Sequence, residues 1–161
     1  MNKKNWGLAV VLISGMMACN NADKKHDGRN GSGDKPKTPV DSLLQYIDNG
    51  HIAGMSRMGK LHNTKKAVQA VIDSMAKLPV AAQQTASSYI TSLHAVIKDL
   101  DNADSEMEKW MPEYYENPDT LADNVSERIK YLNTEKIKVD KIKEAILTSL
   151  QKADSLLKAK F

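Results

Sequence analysis

From Leu44 to Met75, steps of three and four residues land on Leu44, Ile47, His51, Gly54, Met58, Leu61, Lys65, Val68, Ile72 and Met75, an apolar seam with one charged interruption. A seam of that period is buried by a helix packed against other helices. Two further stretches repeat it. Ala86, Tyr89, Ile90, Leu93, Val96, Ile97, Leu100, Ala103, Met107, Trp110, Met111 and Tyr114 make a face wide enough for two neighbours. Val125, Ile129, Leu132, Val139, Ile142, Ile146, Leu150, Ala153 and Leu157 make the third seam. No segment alternates with the period of a strand.

The boundaries follow from local chemistry. Thr38-Pro39-Val40-Asp41 reads as a helix start, with Thr as N-cap, Pro at the first position where no N–H is missed, and an acid at the third. Leu78-Pro79 ends the first helix, because the residue before proline is pushed out of the helical region. Pro112, which lacks the N–H that bonds back one turn, is expected to kink or end the second helix, and Asn117-Pro118-Asp119-Thr120 with Asp123 supplies another start. The expected fold is all-α: an elongated, coiled-coil-like, antiparallel up-down-up three-helix bundle over residues 39–161, each helix roughly 55 Å long.

Ahead of the bundle the sequence changes character. Lys3 and Lys4 precede a 13-residue apolar stretch, Trp6–Ala18, too short for the roughly 20 residues of a spanning helix and suited to the core of a secretory signal. It ends Met16-Met17-Ala18-Cys19, with a small residue before the chain's one cysteine. This resembles a bacterial lipoprotein signal, apart from Met16 in the place where Leu is usual. Residues 1–18 are thus expected to be a signal peptide and Cys19 a covalent lipid site that tethers the protein to a membrane surface. Residues 19–38, polar and rich in Gly, Lys and Asp, read as a flexible tether. No acidic run follows the cysteine, which favours the outer membrane facing the periplasm over export to the cell surface.

The formal charge of +3 and pI near 8.8 suggest an acidic partner, but they belong to the leader and tether. Residues 40–161 hold 16 bases against 17 acids. Within them, residues 99–127 hold ten acids and one base, and residues 128–160 nine bases and four acids. This favours pairing between the second and third helices, or an acidic end attractive to cations, over a nucleic-acid surface. Aromatic residues at 5% argue the same way.

One constellation carries a candidate chemistry. His51, Met55, Met58 and His62 fall at spacings of four, three and four, one stripe of the first helix. With the corner placed at residues 78–79, facing residue numbers add to about 157, which sets His51 near Glu106 and within about a turn of Met107 and Trp110, with His94 near His62. The turn near Pro118 sets Glu135 level with Asp101 and Ser56. A His, several thioethers and an indole suit Cu(I), a soft cation. The candidate metal residues are His51, Met55, Met58, Met107 and Trp110, with His62, His94 and Glu135 around them. The same residues also read as core packing, since Met fills irregular gaps. Gly50, Gly54 and Gly59 each cost about 1 kcal/mol relative to Ala in a helix, which calls for close packing around Trp110 or a loosened helix that admits a ligand.

No residues carry catalysis. Asp99, Asp101 and Asp104 begin like a calcium loop, but Asp104 and Trp110 stand where glycine and the final Glu are needed. There is no phosphate loop, HExxH, G-x-S-x-G or cysteine nucleophile.

Taken together, Cys19, His51-x3-Met55-x2-Met58, Ala103-Asp104-x2-Met107-x2-Trp110-Met111 and Tyr131-Leu132-x2-Glu135-x3-Val139-x2-Ile142 resemble a family of short Bacteroidota lipoproteins labelled "viral A-type inclusion protein". The resemblance covers about 110 residues, and Pro112 departs from its pattern. It implies a lipid-anchored helical bundle of the cell envelope. The expected task is non-enzymatic binding of an unidentified envelope protein, with periplasmic Cu(I) binding as the alternative.

Overall fold

Thr38 closes a capping box: its hydroxyl accepts from the Asp41 N–H at 3.1 Å, and the Asp41 carboxylate accepts from the Thr38 N–H at 3.0 Å. Such a cap is worth about 1 kcal/mol. From it α1 runs unbroken over Pro39–Met75. The computed structural model describes residues 38–116 and 124–159. It continues with α2 (Val80–Thr85), α3 (Ser87–Glu116) and α4 (Val125–Lys158), and no strand occurs among the described residues. Among the described residues the protein is an all-α helical bundle of three long helices and one short one. Residues Lys35–Phe161 form a compact unit of their own, which contains every described core residue. The expected signal, lipid site and tether, up to residue 37, lie outside the described residues.

α1 and α4 run parallel, with α3 antiparallel to both. Contacts between α1 and α4 join residues 94 apart: Tyr46 donates to Asp140 at 2.9 Å and Lys60 to Asp154 at 2.8 Å. Between α1 and α3, residue numbers add to 166 in both His62–Asp104 and Lys65–Asp101. Ile47, Leu61, Val68, Leu93, Leu100, Met107, Tyr114, Val139 and Ile146 are the largest buried side chains on the shared axis. Their burial, at roughly 1.5–3 kcal/mol for each aliphatic side chain, is what holds the helices together.

That register differs from the expected one by about nine residues, two and a half turns, because the corner is not at Pro79. It is centred on Gln83, inside α2. This short helix buries none of its six residues and stands outside the bundle as a spacer. The Gln83 side chain pins it, donating to the carbonyls of Ala76 at 3.1 Å and Leu78 at 2.7 Å. The chain then bends at buried Ala86 into α3.

The other expected corner shifts in the same sense. α3 passes through Pro112 and continues to Glu116, and α4 starts at Val125, with the Asn124 side chain accepting from the Glu127 N–H at 3.2 Å. Proline inside a helix costs about 3 kcal/mol. Beyond it Tyr114 is buried and stacks on Trp110 with ring centres 5.0 Å apart, a burial large enough to offset that cost.

Two glycines of α1 are spaces for neighbours. A Cβ at Gly50 would lie 3.1 Å and 3.2 Å from the methyl groups of Val139, and one at Gly54 would clash with the Met107 methyl. Neither packs on Trp110, the neighbour expected. Gly59 has open space around it, and nothing in the structure explains it.

Candidate functional site

Near the start of α1, three layers of polar and aromatic groups lie across the bundle. The deepest is Glu135 of α4, a buried carboxylate. Burying a lone carboxylate is costly unless its oxygens are satisfied. The Trp110 indole N–H of α3 donates to Oε2 at 2.8 Å, and Lys138, one turn along α4, reaches Oε1 at 2.9 Å. Lys138 also lies 3.9 Å from Glu113 of α3, so the two helices are pinned by a short charged chain. Trp110 is the middle layer, stacked on Tyr114 with an interplanar angle of 15°.

The outer layer is His51 of α1. Its ring centre is 5.5 Å from that of Trp110 and 6.3 Å from that of Tyr115. Burial pushes the imidazole below its ordinary pKa, an effect only partly opposed by the negative charge of Asp48. Its Nε2 is buried and has no hydrogen-bond partner among the described residues. A buried polar atom left unsatisfied costs about 1–3 kcal/mol.

The rim is apolar. Ile52 is 62% exposed, Met55 40% and Tyr115 49%. Exposed Met and Tyr beside an aromatic cluster match the composition of protein interfaces rather than ordinary surface. Singly exposed apolar residues mean little, but these three border one half-buried histidine.

The sequence-derived candidates separate. Met58 and Met107 are core, Met107 seated on Gly54 with Ile146 beside it. His62 is exposed and lies 3.1 Å from both carboxylate oxygens of Asp104, and His94 is exposed on α3. Glu135 meets Trp110 rather than the level of Asp101. His51 and Trp110 do come together. Met55 stays on the His51 flank, exposed, and the observed register sets Met111 level with it. The acid-rich α3 is bridged to both neighbours: Asp101 to Lys65, Asp104 to His62, and Asp99 to Lys152 at 2.8 Å. Among the described residues, no three His, Cys, Asp or Glu side chains converge as a metal site. Cys19 lies outside the described residues.

Ile52, Tyr114 and Tyr115 were missed as candidates. Tyr114 could have been found from its position four residues after Trp110 on one face. Ile52 could have been found as an apolar residue out of phase with its own seam. Compared with known protein families, curated proteins and solved structures, the chain matches none. No described helix is long and apolar enough to cross a membrane.

Proposed function

We propose that the chain is a non-enzymatic helical bundle of the bacterial cell envelope, anchored through a lipid on Cys19 to the outer membrane facing the periplasm, that binds another envelope protein through the His51 flank. The observation that carries the binding reading is the apolar rim of Ile52, Met55 and Tyr115 around a histidine whose buried nitrogen lacks a partner. A docking protein that supplies a hydrogen-bonding group to Nε2 and covers the rim relieves both costs at once. The anchor rests on the signal-like residues 1–18 that end at Cys19, and on the resemblance to short Bacteroidota lipoproteins.

The test has two parts. Cys19→Ser should move the protein from the membrane fraction to the soluble fraction, and retention in the membrane overturns the anchor. A photo-crosslinking residue at position 52, on the whole chain in cells, should give one discrete adduct that is lost with Tyr115→Asp. The same set of adducts from exposed position 66 overturns the interface.

The unpartnered Nε2 also favours a second reading, a soft-metal site in which His51 and Met55, with Met111 opposite, hold Cu(I) beside the Trp110 ring. Trp110 is the only tryptophan after residue 6. Titration of residues 35–161 with Cu(I) should quench its fluorescence at one equivalent, and His51→Ala should abolish the quenching. A response unchanged in that variant rejects the metal site.

A further inference from the structure

Where α4 lies along α1, the surface holds an open groove of about 540 Å³, a volume suited to a small ligand. Its apolar part is buried Leu150 with Leu147, which is 40% exposed. Three cations border it: Arg57 and Lys60, one turn apart on α1, and Lys158 in the last turn of α4. A single carboxylate, Asp154, accompanies them.

Elsewhere the bundle matches cation to carboxylate one to one, as in Lys65 with Asp101, Lys152 with Asp99 and Lys143 with Asp140. In the groove the match is incomplete. Asp154 accepts from Lys60 at 2.8 Å, and that hydrogen bond, with the charges of Lys60 and Lys158 behind it, holds the carboxyl below its usual range. Lys60 is thereby satisfied. Arg57 and Lys158 make no hydrogen bond or ion pair among the described residues, so three cations less one carboxylate leave the groove at +2. Cations of one sign gathered beside an apolar wall focus their field into the cleft.

The kind of cation narrows the ligand. Of the 23 basic residues of the chain, Arg29, Arg57 and Arg128 are the arginines. A guanidinium presents a planar fork that meets a phosphate through two parallel N–H bonds, whereas an ammonium acts as a point charge. Gln151 stands 94 residues from Arg57, the offset that joins facing residues of α1 and α4. Its amide has no partner among the described residues and supplies a further N–H donor at the same level.

We propose that the α1–α4 groove binds a phosphate monoester, with Arg57, Lys158 and Gln151 on the phosphate and the apolar arm of the ester on Leu147. A monoester carries about −1.5 to −2 at neutral pH, which balances the groove; an anion of single charge leaves one cation unmatched. Asp154 keeps Lys60 in place and sets the limit on how much negative charge the groove accepts. A soluble phosphate ester and a lipid with a terminal phosphate present the same group.

The compact unit of residues 35–161 contains every described core residue and suits the test. In an NMR titration, butyl phosphate should shift the amides around positions 57 and 151 and saturate. It should bind more tightly than inorganic phosphate, and about tenfold more tightly than butanesulfonate, which has the same arm and one charge fewer. Arg57→Gln should weaken binding about tenfold or more with the helical circular dichroism unchanged. Leu147→Asn should reduce butyl phosphate to the affinity of inorganic phosphate, and Asp154→Asn should tighten both. Lys66→Gln, which removes an exposed cation outside the groove, should change nothing. Absence of saturable binding overturns the proposal. So do shifts spread along the whole of α4, or equal losses in the Arg57 and Lys66 variants. Vesicles of phosphatidylcholine that carry phosphatidic acid separate the two sources. Retention on them that is lost with Arg57→Gln assigns the ester to a lipid, and binding of butyl phosphate without retention assigns it to a soluble compound; either supports the site. None of these readouts depends on the lipid anchor or on the His51 flank.

Discussion

The indole N–H of Trp110 and the carboxylate of Glu135 meet at 2.8 Å in the interior, and this bond joins α3 to α4 where no apolar contact could set the register. Apolar seams tolerate sliding by a turn, whereas a buried carboxylate tolerates only the register that gives it a donor. Trp110→Phe keeps the ring and removes the donor, so it should destabilise the bundle by about 1.5–3 kcal/mol in urea unfolding. Glu135→Gln in the Trp110→Phe background should recover part of that loss, because a neutral amide is less costly to bury than a carboxylate. Additive losses in the double variant would show that the two residues act separately.

His51 makes stability depend on pH in a defined direction. Burial holds its folded pKa below the unfolded value of 6.5, so between the two values the unfolded chain binds the proton and the folded chain does not. The contribution is fully present above 6.5 and is lost as pH falls through that value towards the folded pKa. The melting temperature should therefore fall between pH 7.5 and pH 5, and His51→Gln should flatten that dependence. Asp140, whose carboxyl is held below its usual range mainly by the hydrogen bond from Lys143, loses its contribution only at more acidic pH and does not obscure the effect.

The glycines of α1 separate by neighbourhood. Gly59→Ala adds a methyl group into open space and should stabilise the protein by about 0.5–1 kcal/mol through helix propensity alone. Gly50→Ala gains the same propensity, yet pushes against the two methyl groups of Val139, a β-branched side chain with little freedom to move. It should be neutral or destabilising. Thermal unfolding of the pair reads the difference directly, and equal gains at both positions would show that α1 and α4 are less closely packed at Gly50 than described.

The three seams, the Thr38 cap and the absence of strands were legible because each depends on spacing within one helix. Register was not, since it depends on where a corner has its centre. Pro79 marks a helix boundary, and both it and Pro118, which lies outside the described residues, were read as centres. The first corner is centred on Gln83, because α2 adds a turn of helix that buries nothing. The second moves because Tyr114, buried beyond Pro112, keeps α3 going to Glu116. The proposed ligand set inherited that slip. His51 was rightly drawn to Trp110, but Met107 was assigned to the same pocket and instead fills the space left by Gly54. The Trp110–Glu135 pair had no signal within either helix.

The parallel pairing of α1 with α4 has a consequence for the order of folding. Every contact across it spans about ninety residues, as in Tyr46–Asp140 and Lys60–Asp154, whereas α3 meets each neighbour through a single corner. Closing the longer loop costs more entropy than closing either hairpin. The two hairpins therefore form first around α3, and the α1–α4 seam zips last. Substitutions in the centre of α3 should slow folding, while loss of the Tyr46 or Lys60 contacts should mainly speed unfolding.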